Sequence, residues 1–355
     1  MQTGHAEVTV DVVIPARNEE DCLGRCLQSL LAQQGISFQI TVVDDGSTDR
    51  TRAIAESFPA VRVMTAGELR PGMTGKVNAL VTGAADSTAE WLLFTDADTY
   101  HYPGSLAASV REAIERNVDF LSYSPEQETA SWWELAVMPL VFADLVRTYS
   151  SERINDPADP TVAANGQYIL VRRKVYEALG GHSALPLNVL EDIELAKLFK
   201  ASGHRIRFRY GGGLVRTRMY RTFGAMWEGW SKGLAILFQH PVLLAARRAF
   251  EFCAIALGLG AGVILMALHH FQGATLLFAI GVFFYLIFIF RIKQAHFPWK
   301  ANLMAFIGLP IYVSLLLRSH LHFNKRGELT WKGRTYSQSA PKAAAGSSIR
   351  KGDLN

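Results

Sequence analysis

The chain has 355 residues, which leaves room for one large domain or two ordinary ones, and 49% of them are hydrophobic, a high share for a purely soluble protein. A formal net charge of +4 is too small to argue for a nucleic-acid partner, and three cysteines are too few for a disulfide framework. Residues 1–8 lack a basic run followed by an apolar core, so no signal peptide is expected.

Apolar runs alternate with polar breaks along the N-terminal half of the chain. The runs predict strands at residues 8–15, 38–43, 61–65, 91–95 and 118–123. Asn18 is expected to cap the first helix, because acidic residues follow it in what would be the first turn. Later helices are predicted to end near residue 58 and to cover residues 76–85 and 103–117. This alternation predicts an α/β fold with a mainly parallel sheet, in which ligands bind beyond the carboxyl ends of the strands.

Acidic pairs follow two of these predicted strands directly. Asp96 and Asp98 are separated by one residue, so their side chains can project to the same side as the strand ends. Two carboxylates at this spacing suit Mg²⁺ or Mn²⁺, although an acidic turn would give the same pattern. Asp44 and Asp45 follow the second predicted strand and therefore fall at the same sheet edge. This coincidence favours a ligand-binding edge over two unrelated turns.

Four motifs follow one another along the chain: IPARNE at residues 14–19, VDDGSTD at 43–49, GKVNAL at 75–80 and TDAD at 95–98. Their order is the one seen in family 2 glycosyltransferases. The chain resembles these inverting enzymes, and the resemblance implies their GT-A fold, a Rossmann-like mixed sheet that binds nucleotide-diphospho-sugars. It covers roughly residues 8–240 and again residues 331–336.

Further motifs resemble a membrane-bound subgroup that glycosylates carotenoid acids or is associated with hopanoid pathways. They lie at residues 163–167, 190–196 and 218–221. His182 departs from the subgroup, which often has an aromatic residue after the paired glycines. Residues 226–230 read MWEGW instead of the Gln-x-x-Arg-Trp of processive polymerases, which argues against chain extension.

The resemblance implies a role for each matching residue. Asp192 is the general base that takes a proton from the acceptor, and Asp96 and Asp98 bind Mg²⁺ or Mn²⁺. Lys76 meets the diphosphate, and Arg218 is expected to lie over it. The full set expected to contact the nucleotide sugar is Pro15, Ala16, Asn18, Asp44, Asp45, Lys76, Asp96, Asn165, Gly166, Glu191 and Arg218.

Local structure offers an alternative role for several of these residues. Asp44 and Asp45 could cap the helix after Gly46, and Glu191 with Asp192 could be ordinary acids at a helix N-terminus. Asn165 could lie in a buried turn. The sequence leaves these alternatives open.

The C-terminal third is predicted to hold the membrane segments. Residues 249–268 and 274–290 are long and apolar enough to span a bilayer, and residues 301–317 form a third apolar stretch. Arg291, Lys293 and Lys300 flank the second loop, which places that loop and the N-terminal domain in the cytoplasm. A third full span would carry the basic tail outside, so the third stretch is expected to be re-entrant or interfacial.

These patterns give an expected domain organisation. A cytoplasmic GT-A domain covers residues 1–230, an interfacial amphipathic segment 231–248, a membrane region 249–317 and a partly disordered basic tail 318–355. Transport is disfavoured, because the candidate spans are expected to carry no buried charges of the kind that pathways use.

The expected function is transfer of a hexose from a nucleotide-diphosphate sugar, UDP-glucose-like, to a lipid acceptor such as a carotenoid acid or hopanoid. The enzyme is expected to be multi-pass in the inner cell membrane, with no nucleic-acid partner. A polyprenyl phosphate or ceramide-type lipid is the alternative acceptor. A non-catalytic membrane scaffold that retains the fold is the alternative from another functional class.

Overall fold

Strands and helices alternate through the first part of the computed structural model, which describes residues 8–185, 190–325, 328–331 and 334–337. The strands of this part are β1 (Thr9–Ala16), β2 (Ser37–Asp44), β3 (Val61–Thr65), β4 (Trp91–Phe94), β5 (Thr99–His101), β6 (Phe120–Ser124), β7 (Glu126–Gln127), β8 (Ile169–Arg172), β9 (Ile206–Tyr210) and β10 (Val215–Thr217). The helices are α1 (Leu23–Leu31), α2 (Thr51–Glu56), α3 (Gly75–Ala84), α4 (Ser105–Glu115), α5 (Trp132–Thr148), α6 (Ser151–Asn155), α7 (Arg173–Ala178) and α8 (Glu191–Ala201), with a 3₁₀ turn at Gly181–Ala184.

The C-terminal part is mostly helical. Its elements are α9 (Phe223–Leu237), α10 (Pro241–Ala267), α11 (Phe271–Lys293), α12 (Trp299–Lys325) and the hairpin of β11 (Glu328–Trp331) and β12 (Arg334–Ser337). The tail from residue 338, expected to be disordered, lies outside the described residues, as do residues 1–7.

The main sheet is mixed, as expected. Among the described residues its strand order is β3-β2-β1-β4-β8-β6-β9, with β8 antiparallel to both of its neighbours and the other pairs parallel. Ala16 pairs with Asp44, and Val13 pairs with Phe94, so β1, β2 and β4 end at the same edge. The acidic pairs after β2 and β4 therefore share one edge of the sheet.

Asn18 does not begin the first helix, so that prediction is wrong. Its backbone has a φ of 53°, in the left-handed region that asparagine tolerates better than most residues. Its side-chain oxygen accepts a hydrogen bond from the Thr48 N–H, 2.9 Å away, and α1 begins only at Leu23. The amide that could have capped a helix instead ties the loop after β1 to the loop after β2.

α5 and α12 pack against each other at a glycine. A Cβ added at Gly308 would lie 2.1 Å from the carbonyl oxygen of Ala136, so any side chain there would force the helices apart. α5 begins with a capping box, in which Ser131 and Glu134 each accept from the other's backbone N–H. The contact makes α5 the link between the sheet domain and the C-terminal helices.

Three helices in the described part of the chain are long and apolar enough to cross a membrane: Pro241–Ala267, Phe271–Lys293 and Trp299–Leu321. α10 and α11 approach closely at Gly258 and Gly281, where an added Cβ would lie 2.6 Å from the facing backbone. Large apolar side chains such as Leu257 and Phe290 are exposed on these helices. Such surfaces indicate association with a membrane.

The amphipathic segment expected at residues 231–248 is divided between two helices. α9 ends at Leu237 and α10 begins at Pro241, which occupies the first helical position that proline favours. Arg248 is buried within α10, whereas its neighbour Arg247 is exposed.

Buried charges occur in the candidate spans, so that part of the prediction is wrong as well. Arg248 donates to Asp144 of α5 at 2.7 Å and to Glu251 at 2.9 Å. Arg291 of α11 donates to Glu251 at 2.8 Å and to Asp144 at 3.3 Å, and the Tyr312 hydroxyl of α12 donates to Asp144 at 3.1 Å. We call these five residues the helix-junction cluster. Its two arginines match its two carboxylates, so the charges cancel locally.

Candidate active site

Three separate segments bring ionisable side chains together beyond the edge where β4 ends. The Thr74 side chain caps α3 by accepting from the Val77 N–H, which places Lys76 in the first turn of that helix. The Lys76 Nζ lies 2.8 Å from Asp96 Oδ1 and 2.8 Å from Glu191 Oε1, at the start of α8. Asp192 follows Glu191 directly. The structure therefore brings together Lys76, Asp96, Glu191 and Asp192, which are up to about a hundred residues apart in the chain.

Lys76 is held in its charged form. Burial opposes the charge, but Asp96 and Glu191 outweigh it, so the pKa of Lys76 is raised well above its usual 10.5. A cation in the first turn of a helix is disfavoured by the helix dipole, and the two carboxylates offset that cost. The result is a fixed ammonium group at a site where an anion could also bind.

Asp98 has an unsatisfied oxygen. Among the described residues its buried Oδ1 has no hydrogen-bond partner, and its Oδ2 is 3.5 Å from Gln167 Nε2. Burial, together with the charges of Asp96 and Glu19, raises the pKa of Asp98 to about 7. An ionised carboxylate with an unpaired buried oxygen is costly unless a cation is near it.

Because Asp98 Oδ1 is buried without a partner among the described residues, the carboxylates of Asp96 and Asp98 fit a divalent cation. No group of three or more His, Cys, Asp or Glu side chains in the described residues forms a complete metal site. Mg²⁺ and Mn²⁺, however, commonly take only one or two carboxylates and complete their coordination with water and substrate phosphates.

Asp192 is positioned by backbone N–H groups. Its Oδ2 accepts from the Gly166 N–H at 3.0 Å, and its Oδ1 accepts from the Ile193 N–H at 2.8 Å. Burial and the neighbouring Glu191 raise the pKa of Asp192 to about 7. A Cβ added at Gly166 would lie 3.0 Å from Lys76 Nζ, so glycine leaves room for the lysine beside the carboxylate.

The turn at residues 165–167 is held by its neighbours. Asn165 Oδ1 accepts from the Gln167 N–H at 3.0 Å, and the Gln167 carbonyl accepts from the Thr95 hydroxyl at 2.7 Å. Asn165 thus makes the hydrogen bond expected of a residue in a turn, and it also lines the cavity described below. Gln167 bonds the Thr217 hydroxyl at 3.1 Å and so fixes β10 beside Asp98.

The predicted nucleoside contacts lie at the ends of β1 and β2. The group comprises Pro15, Ala16, Asn18, Asp44 and Asp45. The Asp45 N–H donates to the Ala16 carbonyl at 2.9 Å, and Asp44 accepts from the Ser47 N–H at 3.2 Å.

The alternative that Asp44 or Asp45 caps the next helix is wrong. That helix, α2, begins at Thr51, and the carboxylate of Asp49 accepts the N–H of Thr51 at 2.9 Å. Asp44 is instead used within the loop that follows β2.

Arg218, predicted to lie over the diphosphate, pairs with an acidic side chain of α5. It forms a bidentate ion pair with Glu134, with N···O distances of 2.9 and 3.0 Å. Glu134 is the acidic residue of the α5 capping box, so Arg218 stabilises the start of α5. The arginine is not among the residues that line the cavity described next.

A cavity of about 450 Å³ opens beside these groups. Its polar end includes Lys76, Asp96, Asn165, Gly166, Glu191 and Asp192. Its other lining residues include aromatic side chains that sequence reasoning did not single out for this site: Phe142, Tyr149, Phe208, Tyr210, Tyr220 and His296. They come from α5 and the residue after it, from β9, from the segment before α9 and from the loop between α11 and α12. Of these side chains only Tyr220 lies in a motif named from the sequence.

His182 takes the place of the aromatic residue expected there. It is buried, its ring packs edge-on against Phe94 with centroids 4.8 Å apart, and its Nδ1 lies 2.9 Å from the Tyr176 hydroxyl. Burial, with the charge of Lys76, lowers the pKa of His182 to about 3, so the ring stays neutral. A neutral imidazole serves here as a small aromatic ring with one hydrogen bond.

Known proteins resemble both the sequence and the fold. Residues 11–180 match the family described as Glycosyl transferase family 2. The chain is 26% identical to 4,4'-diaponeurosporenoate glycosyltransferase of Staphylococcus aureus strain MRSA252, over 92% of this chain and 88% of that one. It is 25% identical to the protein of the same name from strain bovine RF122 / ET3-1, over 93% and 88% of the two chains.

A solved structure is similar in fold. It is the mannosyltransferase PcManGT from Pyrobaculum calidifontis, with a TM-score of 0.53 and 19% identity over 89% of this chain and 88% of that one. The architecture and the matched sequence agree: the chain is a glycosyltransferase with a GT-A fold followed by three apolar helices, and its residues 11–180 are similar to family 2.

Proposed function

We propose that this enzyme moves a hexose from a nucleotide-diphosphate sugar, UDP-glucose-like, to a lipid acceptor such as a carotenoid acid or a hopanoid, with inversion at the anomeric carbon. The observation that carries the proposal is the convergence of Lys76 with Asp96 and Glu191 beside Asp192. The relatives, named for a carotenoid acid, support that class of acceptor.

The donor would lie along the edge where β1, β2 and β4 end. Asp44 and Asp45 are proposed to accept hydrogen bonds from the base and the ribose hydroxyls. Lys76 is proposed to meet the diphosphate as a compact, fully protonated cation. Asp96 and Asp98 would hold Mg²⁺ or Mn²⁺, which when bound neutralises charge that develops on the leaving diphosphate.

Asp192 is the proposed general base for an acceptor hydroxyl. The hydroxyl oxygen forms a bond to the anomeric carbon, its proton passes to Asp192, and the bond to the diphosphate breaks with its electron pair on the leaving group. The Gly166 and Ile193 N–H groups keep both carboxylate oxygens in place for that transfer. A carboxylate acceptor is already ionised at neutral pH and needs no such proton transfer.

The proposed topology has two spans. α10 and α11 cross as a hairpin, with Arg291 and Lys293 at the cytoplasmic end of α11. α12 contacts catalytic-domain α5 through Gly308, and its Ser319 hydroxyl accepts from the Ala235 N–H of α9 at 2.8 Å. These contacts near the middle and towards the end of α12 support an interfacial position for it. The catalytic domain and the basic tail would then both face the cytoplasm of an inner membrane.

The function can be tested in membranes that contain the full-length chain. Membranes are incubated with a panel of labelled nucleotide sugars, Mg²⁺ or Mn²⁺ and total lipid extract, and the labelled lipid is identified by mass spectrometry. We expect label in a lipid, and loss of it in Asp98→Ala. Asp86→Ala removes an exposed carboxylate of the same domain, 3.2 Å from Arg62, and serves as the matched control. Equal labelling by Asp98→Ala and the control would contradict the proposal.

A further inference from the structure

The cavity beside Asp192 continues into an apolar compartment. Its walls include Phe142 and Val146 of α5, Trp230 and Leu237 of α9, and Met219 just before α9. Phe142 and Trp230 are buried, whereas Val146 is 40% exposed and lies at the rim. The compartment is therefore an extension of the candidate site with a different chemical character.

α9 presents backbone to this compartment at two glycines one turn apart. A Cβ at Gly229 would lie 2.5 Å from the Tyr220 hydroxyl, so glycine is needed there for Tyr220 to pack. A Cβ at Gly233 would meet no atom of the described residues within 4 Å. Gly233 thus borders open space in the cavity wall.

The same walls join the catalytic domain to the apolar helices. Phe142 and Trp230 belong to the hydrophobic cluster that α5 and α9 share with α10, α11 and α12. The Tyr149 hydroxyl donates to the Leu237 carbonyl at 2.6 Å, which fixes the end of α5 to α9. On another side, His296 of the α11–α12 loop stacks on Tyr210 at 4.3 Å with rings 10° apart. The compartment lies where a molecule held in the membrane could reach the carboxylates.

A sugar or a nucleotide suits this compartment poorly. Hydroxyls and amides placed against Phe142, Trp230 and Met219 would lose water without gaining hydrogen bonds, which is unfavourable. A hydrocarbon chain gains about 25 cal/mol for each Å² of apolar surface removed from water. A volume of about 450 Å³ falls within the range of small-molecule sites, so it can hold the end of a chain together with its reactive group.

We infer that this compartment binds the hydrocarbon chain of the lipid acceptor and directs its polar end to Asp192. The inference rests on the proposed function and adds the residues that hold the acceptor. The tail site comprises Phe142, Val146, Met219, Trp230, Gly233 and Leu237. Phe142, Trp230 and Leu237 hold the chain by burial, and the space at Gly233 sets how thick it can be.

The test uses 4,4'-diaponeurosporenoate as the probe, because its polyene quenches tryptophan fluorescence and Trp230 lies in the wall. Saturable quenching of the full-length protein in detergent gives the dissociation constant. Gly233→Phe fills the compartment from the open side of α9, and we expect the dissociation constant to rise at least tenfold. Gly224→Phe is the matched control, since Gly224 is exposed on the same helix, meets no described atom within 4 Å and lies outside the cavity. It is expected to stay within twofold of the unaltered chain.

A second variant guards against misfolding of the first. Val146→Glu places a carboxylate at the exposed rim, and we expect it to raise the dissociation constant of the polyene at least fivefold. Equal affinity in the unaltered chain, Gly233→Phe and Val146→Glu would overturn the inference, as would quenching that never saturates.

Binding of UDP with Mg²⁺, measured by calorimetry on the same preparations, separates this inference from the proposed function. Failure of UDP and other nucleoside diphosphates to bind the unaltered chain would count against the proposed function. The polyene result would still decide the tail site.

Discussion

The candidate active site and the helix-junction cluster both place basic side chains among buried carboxylates, and they differ in charge balance. In the junction, Arg248 and Arg291 face Asp144 and Glu251, and ion pairs of 2.7 to 3.3 Å link them. In the active site, Lys76 faces several carboxyl groups: Asp96, Asp98, Glu191 and Asp192. Burial, together with this surplus of negative charge, raises the pKa of Asp98 and of Asp192 to about 7.

This difference separates a structural arrangement from a reactive one. A balanced cluster holds helices together and has no need of a ligand, because each charge has a partner within the protein. A surplus of carboxylates destabilises the folded protein until cations bind. Such a surplus is typical of a site that binds a metal and a substrate. Removing one charge should therefore have opposite effects on stability in the two places.

The largest effect is expected from Asp192→Asn. With a hydroxyl acceptor, kcat should fall about 10²–10⁴-fold, because no group remains to take the proton. With a carboxylate acceptor the loss should be under about tenfold, because that nucleophile is already ionised. Transfer of labelled sugar to the two acceptor types measures the ratio. Equal losses with both would show that Asp192 acts in some way other than as a base.

Arg248→Met should break the balance of the helix-junction cluster. It leaves Asp144 and Glu251 with one arginine between them, which is expected to cost about 3–5 kcal/mol of unfolding free energy. Denaturant or thermal unfolding in detergent measures the change. Arg247→Met is the matched control, since Arg247 is the exposed neighbour on the same helix. A destabilisation no larger than the control's would mean that the cluster is not structural.

Asp98→Asn should stabilise the protein at pH 8 by about 1–2 kcal/mol, a usual gain when a costly active-site charge is removed. The folded pKa is about 7, above the ordinary 3.8, so folding favours the protonated carboxyl. That favourable contribution is complete below about pH 4 and is lost as the pH rises through 7. The unfolding free energies of Asp98→Asn and the unaltered chain are compared at pH 8 and at pH 4, without divalent metal. The stabilisation by Asp98→Asn should be present at pH 8 and absent at pH 4. A loss of stability at pH 8 would contradict it.

The smallest effect is the pH dependence of the unaltered enzyme. With a hydroxyl acceptor, kcat/KM should rise up to tenfold per pH unit below about pH 7 and level off above it, since Asp192 must be ionised to accept a proton. With a carboxylate acceptor this limb should be nearly absent. Initial rates between pH 5.5 and 8.5 with both acceptors provide the comparison. If kcat/KM rose with pH below pH 7 for both acceptors, the titrating group would be one other than Asp192.

The sheet edge could be predicted because its signals are local. β3 has the predicted bounds of residues 61–65, and β4 differs from its prediction by one residue at its end. Asp44 is the last residue of β2 and Asp96 lies two residues beyond the end of β4, so the parallel register with β1 brings both to the same edge.

The misses arose where tertiary partners decide the outcome. α5 is buried on nearly every side, so its sequence has no polar face that would reveal a helical period. Arg248 resembled a surface residue because its partner Asp144 is 104 residues away in the chain. The pairing of Arg218 with Glu134 was likewise not evident, because the two residues are 84 positions apart. No pattern within one segment contains these pairings.

The close contact of Gly308 with Ala136 fixes the position of α5 against α12, and with it the position of the sheet domain relative to the apolar helices. The α5 helix that makes this contact also carries Asp144, which is bonded to α10, α11 and α12, so the sheet domain cannot tilt freely on its anchor. With α10 and α11 across a membrane, as proposed, Asp192 would be held at a set height above the lipid surface. Under this constraint, the enzyme would select acceptors by the reach of their polar end as well as by their chemistry, and a lipid that emerges too little would bind and yet remain unglycosylated.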